Sequence, residues 1–198
     1  IEFVLSLIHH QLSNTTPNGT IISEGLLCLS ALSRNEANAL SMAANALQLC
    51  IKIFNVVTTS LVLQNVSRFL ANLFVHAAPA ISAIETTLVP TILQTATNEI
   101  ENVEYLLVGV KPLENMAYAS QGVRDYLKDK RTIEKMEEIK KANTDRQDVI
   151  DVCNNVIYAV NRTDYVGDNL EFVELNRKGR NLKDVYEALG EKKDEVVE

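Results

Sequence analysis

NVSRFLANLFVHA, residues 65–77, is the stretch from which the fold can be read. Apolar residues recur through it at helical spacing, yet Asn72 stands among leucine, alanine and phenylalanine, where an aliphatic residue would pack better. Three other segments end in a similar phrase: SEGLLCLSALSRN (23–35), VGVKPLENMAYAS (108–120) and DVIDVCNNVIYAV (148–160). Aligned on the hydrophobe after the small or amide residue, the anchors are Leu32, Leu73, Met116 and Val156, spaced 41, 43 and 40 residues apart.

The segments between these phrases are also consistent. GVRDYLKDK (122–130) leads into RTIEKMEEIKKAN, where Ile133, Met136 and Ile139 recur at helical spacing. DNLEFVELN (168–176) leads into GRNLKDVYEALGEKK, with Leu182, Val185 and Leu189. A short helix, a turn, a medium helix and a long helix form each unit. Repeats of about 40–47 residues with two or three helices are the sequence mark of armadillo and HEAT arrays. The chain resembles an armadillo-repeat solenoid over nearly all of its 198 residues, with HEAT repeats as the close alternative. The resemblance implies an all-α, right-handed α-solenoid: one domain, 1–198, of about four to five repeats. The first unit lacks its short first helix and the last lacks its long third. The opening IEFVLSLIHHQLSN has no Met, basic segment or helix N-cap, so a piece of a longer chain is expected.

Composition agrees with helices. Gly (7) and Pro (4) are scarce, Trp is absent, and 46% of residues are apolar. The net charge of −7 hides an asymmetry. Residues 1–100 hold three Lys/Arg and five Asp/Glu, and residues 101–198 hold sixteen and twenty-one. Helices this apolar in the first half need covering by other helices or a partner, so self-association through that half is an expectation. The uncharged stretch 53–67 is interrupted by Asn55, Gln64 and Asn65 and is shorter than the roughly 18–20 apolar residues of a membrane span. No transmembrane segment is expected. Cys28, Cys50 and Cys153 sit far apart in apolar runs and read as buried, reduced thiols of a cytoplasmic protein. The sequons at Asn14, Asn18, Asn65 and Asn161 are read as chance.

The prolines mark breaks in geometry: Pro79 is expected to end a long helix, Pro90 to sit in a first turn or kink its helix, and Pro112 to kink a third helix or begin one.

The residue before each anchor reads Ala31, Asn72, Asn115, Asn155. In armadillo proteins the third helices line a concave groove, and peptide-binding members carry Asn at the matching point. The resemblance therefore implies that Asn72, Asn115 and Asn155 hold the main chain of an extended peptide. The other reading is that these amides are solvated or bond the neighbouring repeat. Four residues earlier, where nuclear-import adaptors place Trp, the chain has Leu27, Arg68, Lys111 and Asp151. That departure argues against a nuclear-localisation-signal receptor. Arg68 and Lys111 instead suit an acidic or phosphorylated ligand, or else are solvated cations.

Little else carries chemistry. His9 and His10 are adjacent and point apart on a helix, and His76 is remote from them, so no metal site is expected. No nucleophile or phosphate-binding motif appears, and neither an enzyme nor a cofactor is expected. Glu134, Glu137 and Glu138 mingle with Lys135, Lys140 and Lys141 as a charged outer face. The basic runs KDKR (128–131) and NRKGR (176–180) lack aromatic platforms, so nucleic acid is not an expected partner. The expected function is a scaffold or adaptor holding a protein or peptide in its groove. The alternative is a structural or regulatory part of a larger cytoskeletal, motor or ciliary assembly.

Overall fold

The computed structural model describes residues 1–77, 85–118 and 121–162. The chain divides into two compact units, 1–163 and 164–198, and the described residues belong to the first. Leu182, Val185, Leu189, Pro79 and the NRKGR run lie outside the described residues.

Among the described residues the protein is all-α, with no strand. The helices are α1 (Glu2–Leu12), α2 (Gly19–Leu32), α3 (Glu36–Val56), α4 (Ser60–Ala77), α5 (Glu85–Asn98), α6 (Val103–Gly109), α7 (Lys111–Ala117), α8 (Gln121–Asp129), α9 (Thr132–Ala142) and α10 (Gln147–Asn161). Asparagine starts three of them. Asn18 Oδ1 accepts from the Thr20 and Ile21 amides at 3.1 and 3.2 Å, Asn35 Oδ1 from Asn38, and Asn102 Oδ1 from Tyr105. Each satisfies donors that a helix start leaves without a partner. The sequon at Asn18 thus has a structural use.

Two segments differ from the expected unit. Residues 36–56 form one continuous helix rather than a short and a medium one. The stretch has no Gly or Pro, and Ala and Leu dominate it, so nothing interrupts helix propagation. By contrast, the third phrase is split. α6 ends at Gly109, Val110 leaves the helix, and Pro112 sits in the first turn of α7, where its missing N–H costs no hydrogen bond. Pro90 lies in the interior of α5, past its first turn.

α2 packs on α4, α4 on α6 and α7, and these on α10. A second succession runs α1 on α3, α3 on α5, and α5 on α9. Between the two, α1 meets α2, α3 meets α4, α5 meets α6, and α9 meets α10. α4 is central, and Phe69, Leu70, Leu73 and Phe74 are all buried on it. α9 keeps its charged face outward, with Lys135–Glu138 and Lys140–Glu137 pairs one turn apart.

α3 is long and apolar enough to cross a bilayer by length and composition, but Ala39, Met42, Ala46, Leu49, Cys50 and Ile53 are buried inside the fold.

Arg131, between α8 and α9, has φ 60° and ψ 35°, the left-handed region that a Cβ disfavours. Its guanidinium makes only a 3.8 Å exposed contact with Glu134. Arg131→Gly is therefore expected to stabilise the protein by about 0.5–1 kcal/mol, the strain relief exceeding the entropic cost of glycine. A lower urea midpoint than wild type would contradict this.

Candidate protein-binding face

Along the succession α2, α4, α6–α7, α10, the four positions Leu27, Arg68, Lys111 and Asp151 all reach the surface. Leu27 is 38% exposed, Arg68 and Asp151 are exposed, and the Lys111 side chain is 36% exposed. Their chemistry is uneven. Arg68 Nη1 donates to the neutral Asn65 Oδ1 at 3.0 Å, and it forms no ion pair among the described residues. Lys111 Nζ lies 3.3 Å from Glu114 Oε2, and Asp151 Oδ1 accepts from Gln147.

The asparagines are used differently from one another. Asn72 Nδ2 donates to Ser30 Oγ at 2.8 Å and to the Ser30 carbonyl at 3.3 Å. Asn115, only 8% exposed, donates to the Ala71 carbonyl at 2.8 Å. In both, the opposite amide orientation would set two oxygens against each other, so Nδ2 must point inward. The donors of Asn72 and Asn115 are thus engaged within the fold. Asn155 is half-buried and makes no side-chain hydrogen bond among the described residues. These amides therefore do not form a uniform ladder.

Further bonds of the same kind were not expected from the sequence. The Asn65 Nδ2 donates to Ser23 Oγ at 2.6 Å, His76 Nε2 meets the Arg34 carbonyl at 3.2 Å, and Asn102 Nδ2 donates to Ser60 Oγ at 2.8 Å. Asn143 Nδ2 donates to the Ile100 carbonyl at 2.9 Å. The sequence separations are 42 for the Asn65, Asn72, His76 and Asn102 bonds, 44 for Asn115 and 43 for Asn143. On α4 the donors fall at 65, 72 and 76, and their partners fall at 23 and 30 on α2 and at 34, just past its end. Equal steps on both helices mean that α2 and α4 run parallel and in register. From α4 to α6–α7 the steps are unequal. Thirteen residues separate Asn102 from Asn115, whereas eleven separate Ser60 from Ala71. The interruption at Val110 falls within that longer interval. Only the Asn65–Ser23, Asn72–Ser30 and Asn102–Ser60 bonds join polar side chains at the repeat spacing; the others end on backbone carbonyls, which no residue type marks.

Glu114 is the outlier. It is fully buried, and among the described residues Lys111 Nζ, 3.3 Å from Oε2, is the one polar group that reaches its carboxylate. Burial pushes its pKa above the usual carboxylate range, against the opposing pull of Lys111. The Tyr105 hydroxyl and Ser67 Oγ are also buried, and burial raises the Tyr105 pKa against the opposing effect of Ser67.

The three thiols are free, but Cys28 is exposed rather than buried. It follows Leu27 on α2, and the apolar run around it lines both sides of that helix. Cys50 and Cys153 are buried, and burial pushes the Cys153 thiol up to about 11. Among the described residues no three His, Cys, Asp or Glu side chains gather as a metal set. His9 and His10 are exposed on α1.

No protein-family model matches the chain, and no curated protein or solved structure does.

Proposed function

We propose that the chain is a non-enzymatic protein-interaction module, an armadillo-like right-handed α-solenoid that acts as a scaffold or adaptor in the cytoplasm. The observation that carries this reading is the recurrence of side-chain bonds between helices 42 to 44 residues apart. A structure that repeats by translation stacks equivalent helices and leaves a long continuous face for a partner. The face at Leu27, Arg68, Lys111 and Asp151 is that surface. Arg68, with only a neutral contact, favours an acidic protein or peptide. The asparagine donors chiefly hold adjacent helices together, so recognition falls to the exposed residues beside them. Free thiols support a reducing compartment.

Arg68→Glu tests the reading. It alters an exposed cation, so circular dichroism should be unchanged while capture of partners falls about tenfold or more, a loss of about 1.4 kcal/mol. Lys141→Glu, on the exposed face of α9, is the control. Partners held equally by all three proteins would remove this face as the interface.

Exposed apolar side chains favour the second reading, a structural or regulatory part of a larger assembly. Phe3 of α1 is 77% exposed and Leu40 of α3 is 51% exposed. If they mediate assembly, sedimentation will show self-association that Phe3→Glu/Leu40→Glu abolishes.

A further inference from the structure

We infer that the joint between α7 and α10 is a pH-sensitive step in the succession of packed helices, closing when Glu114 is protonated and loosening when it ionises. This goes beyond the partner-binding reading and does not depend on it.

At the first two joints an asparagine amide reaches back to the residue just before the aligned position on the preceding helix. Asn72 reaches Ser30, which precedes Ala31, and Asn115 reaches Ala71, which precedes Asn72. By the same register, the counterpart of Asn155 is Glu114, which precedes Asn115. α10 does pack on α7, yet neither Asn154 nor Asn155 makes a side-chain hydrogen bond among the described residues. By that register the slot that Ser30 and Ala71 fill at the other joints falls here to a fully buried carboxyl, reached only by Lys111 Nζ at 3.3 Å among the described residues.

Its only ion-pair partner among the described residues is Lys111, itself 36% exposed. The elements packed against α7 carry Arg68 and His76 on α4, Glu104 and Tyr105 on α6, Arg124, Asp125, Lys128 and Asp129 on α8, and Asp148, Asp151, Cys153 and Tyr158 on α10, yet the one charge that acts on Glu114 is that of Lys111. None of those other groups forms an ion pair with Glu114, and Arg124 is committed to the Ala117 carbonyl and Gln121 Oε1. A neutral acid can stay in this slot, whereas an ionised one must either remain poorly solvated or open the joint to water. The sign follows from linkage. Burial raises the carboxyl above its ordinary 4.5, so the closed joint binds more protons than the open one. Its contribution is complete below about pH 4.5 and is lost as pH climbs through the raised value.

Hydrogen exchange of the full chain, corrected for intrinsic rates, tests this between about pH 5 and about pH 8. Within the titration window, protection of residues 147–161 is expected to fall by up to about tenfold per pH unit, with 19–32 and 60–77 unaffected. Glu114→Gln should remove this dependence and keep α10 protected throughout. Lys111→Met removes the opposing charge and should enlarge the fall, which keeps the test open even if the glutamine variant does not fold. A flat wild-type profile, a fall shared by all helices, persistence in Glu114→Gln, or a smaller fall in Lys111→Met would each overturn the inference.

Discussion

Phe69→Ala is expected to lower the unfolding free energy by about 3–5 kcal/mol, the range for emptying a buried aromatic site. Phe69 has no exposed surface, and it lies on the helix that packs on α2, α3, α6 and α7. The cavity cannot close by moving one neighbour, because α4 is held from four sides. Total stability for a unit of this size is on the order of 5–15 kcal/mol, so the loss is a large share of it. Urea denaturation with an unchanged slope and a much lower midpoint would confirm it. A loss below about 1 kcal/mol would mean that the site collapses freely and that α4 is not the structural centre.

The second large effect is expected from the Asn65→Ala/Asn72→Ala pair, at about 2–6 kcal/mol. Asn65 is 2% exposed and satisfies Ser23 Oγ while accepting from Arg68; Asn72 satisfies Ser30 Oγ. Removing an amide strands the buried Ser23 or Ser30 hydroxyl, at about 1–3 kcal/mol each. The two sites lie two turns apart and have separate partners, so their effects should add. Asn154→Ala, on the exposed face of α10, is the matched control and should change stability by less than about 0.5 kcal/mol. Equal midpoints for the pair and the control would show that these bonds contribute nothing to α2–α4 packing. The same comparison bears on function. Lost partner capture in a destabilised Asn72→Ala protein is not evidence of peptide contact, which is why Arg68→Glu is the better probe.

Much of the helical layout was legible in the residues. The phrases anchored at Leu32, Leu73 and Val156 fall on α2, α4 and α10, and the segments at 122–130 and 131–143 fall on α8 and α9. Apolar spacing sets these helices because each is amphipathic over its own length, a local property. The departures also have local causes that were visible but undervalued. The 36–56 segment has nothing to break it, and Pro112 is placed where a helix begins more cheaply than it bends.

The candidate site was less legible. Asn72, Asn115 and Asn155 look equivalent in sequence, since each precedes an anchor hydrophobe. The fold gives them three different environments, because an amide's role depends on the residue that packing brings opposite it: Ser30, Ala71 or, by register, Glu114. Cys28 shows the same limit. Its neighbours are apolar, but the exposed side of α2 was decided by where α1 and α4 lie.

By itself, then, the sequence determined an all-α chain and a spacing of about 40 residues between its similar phrases. Those features depend on hydrogen bonds and periodicity within a few turns. Only the tertiary structure decided that asparagines reach back 42 to 44 residues, that Arg68 bonds the neutral Asn65, and that Glu114 is buried. The reason is physical: burial, desolvation and hydrogen-bond partners are set by helices distant in sequence, and no local pattern encodes which of them will meet.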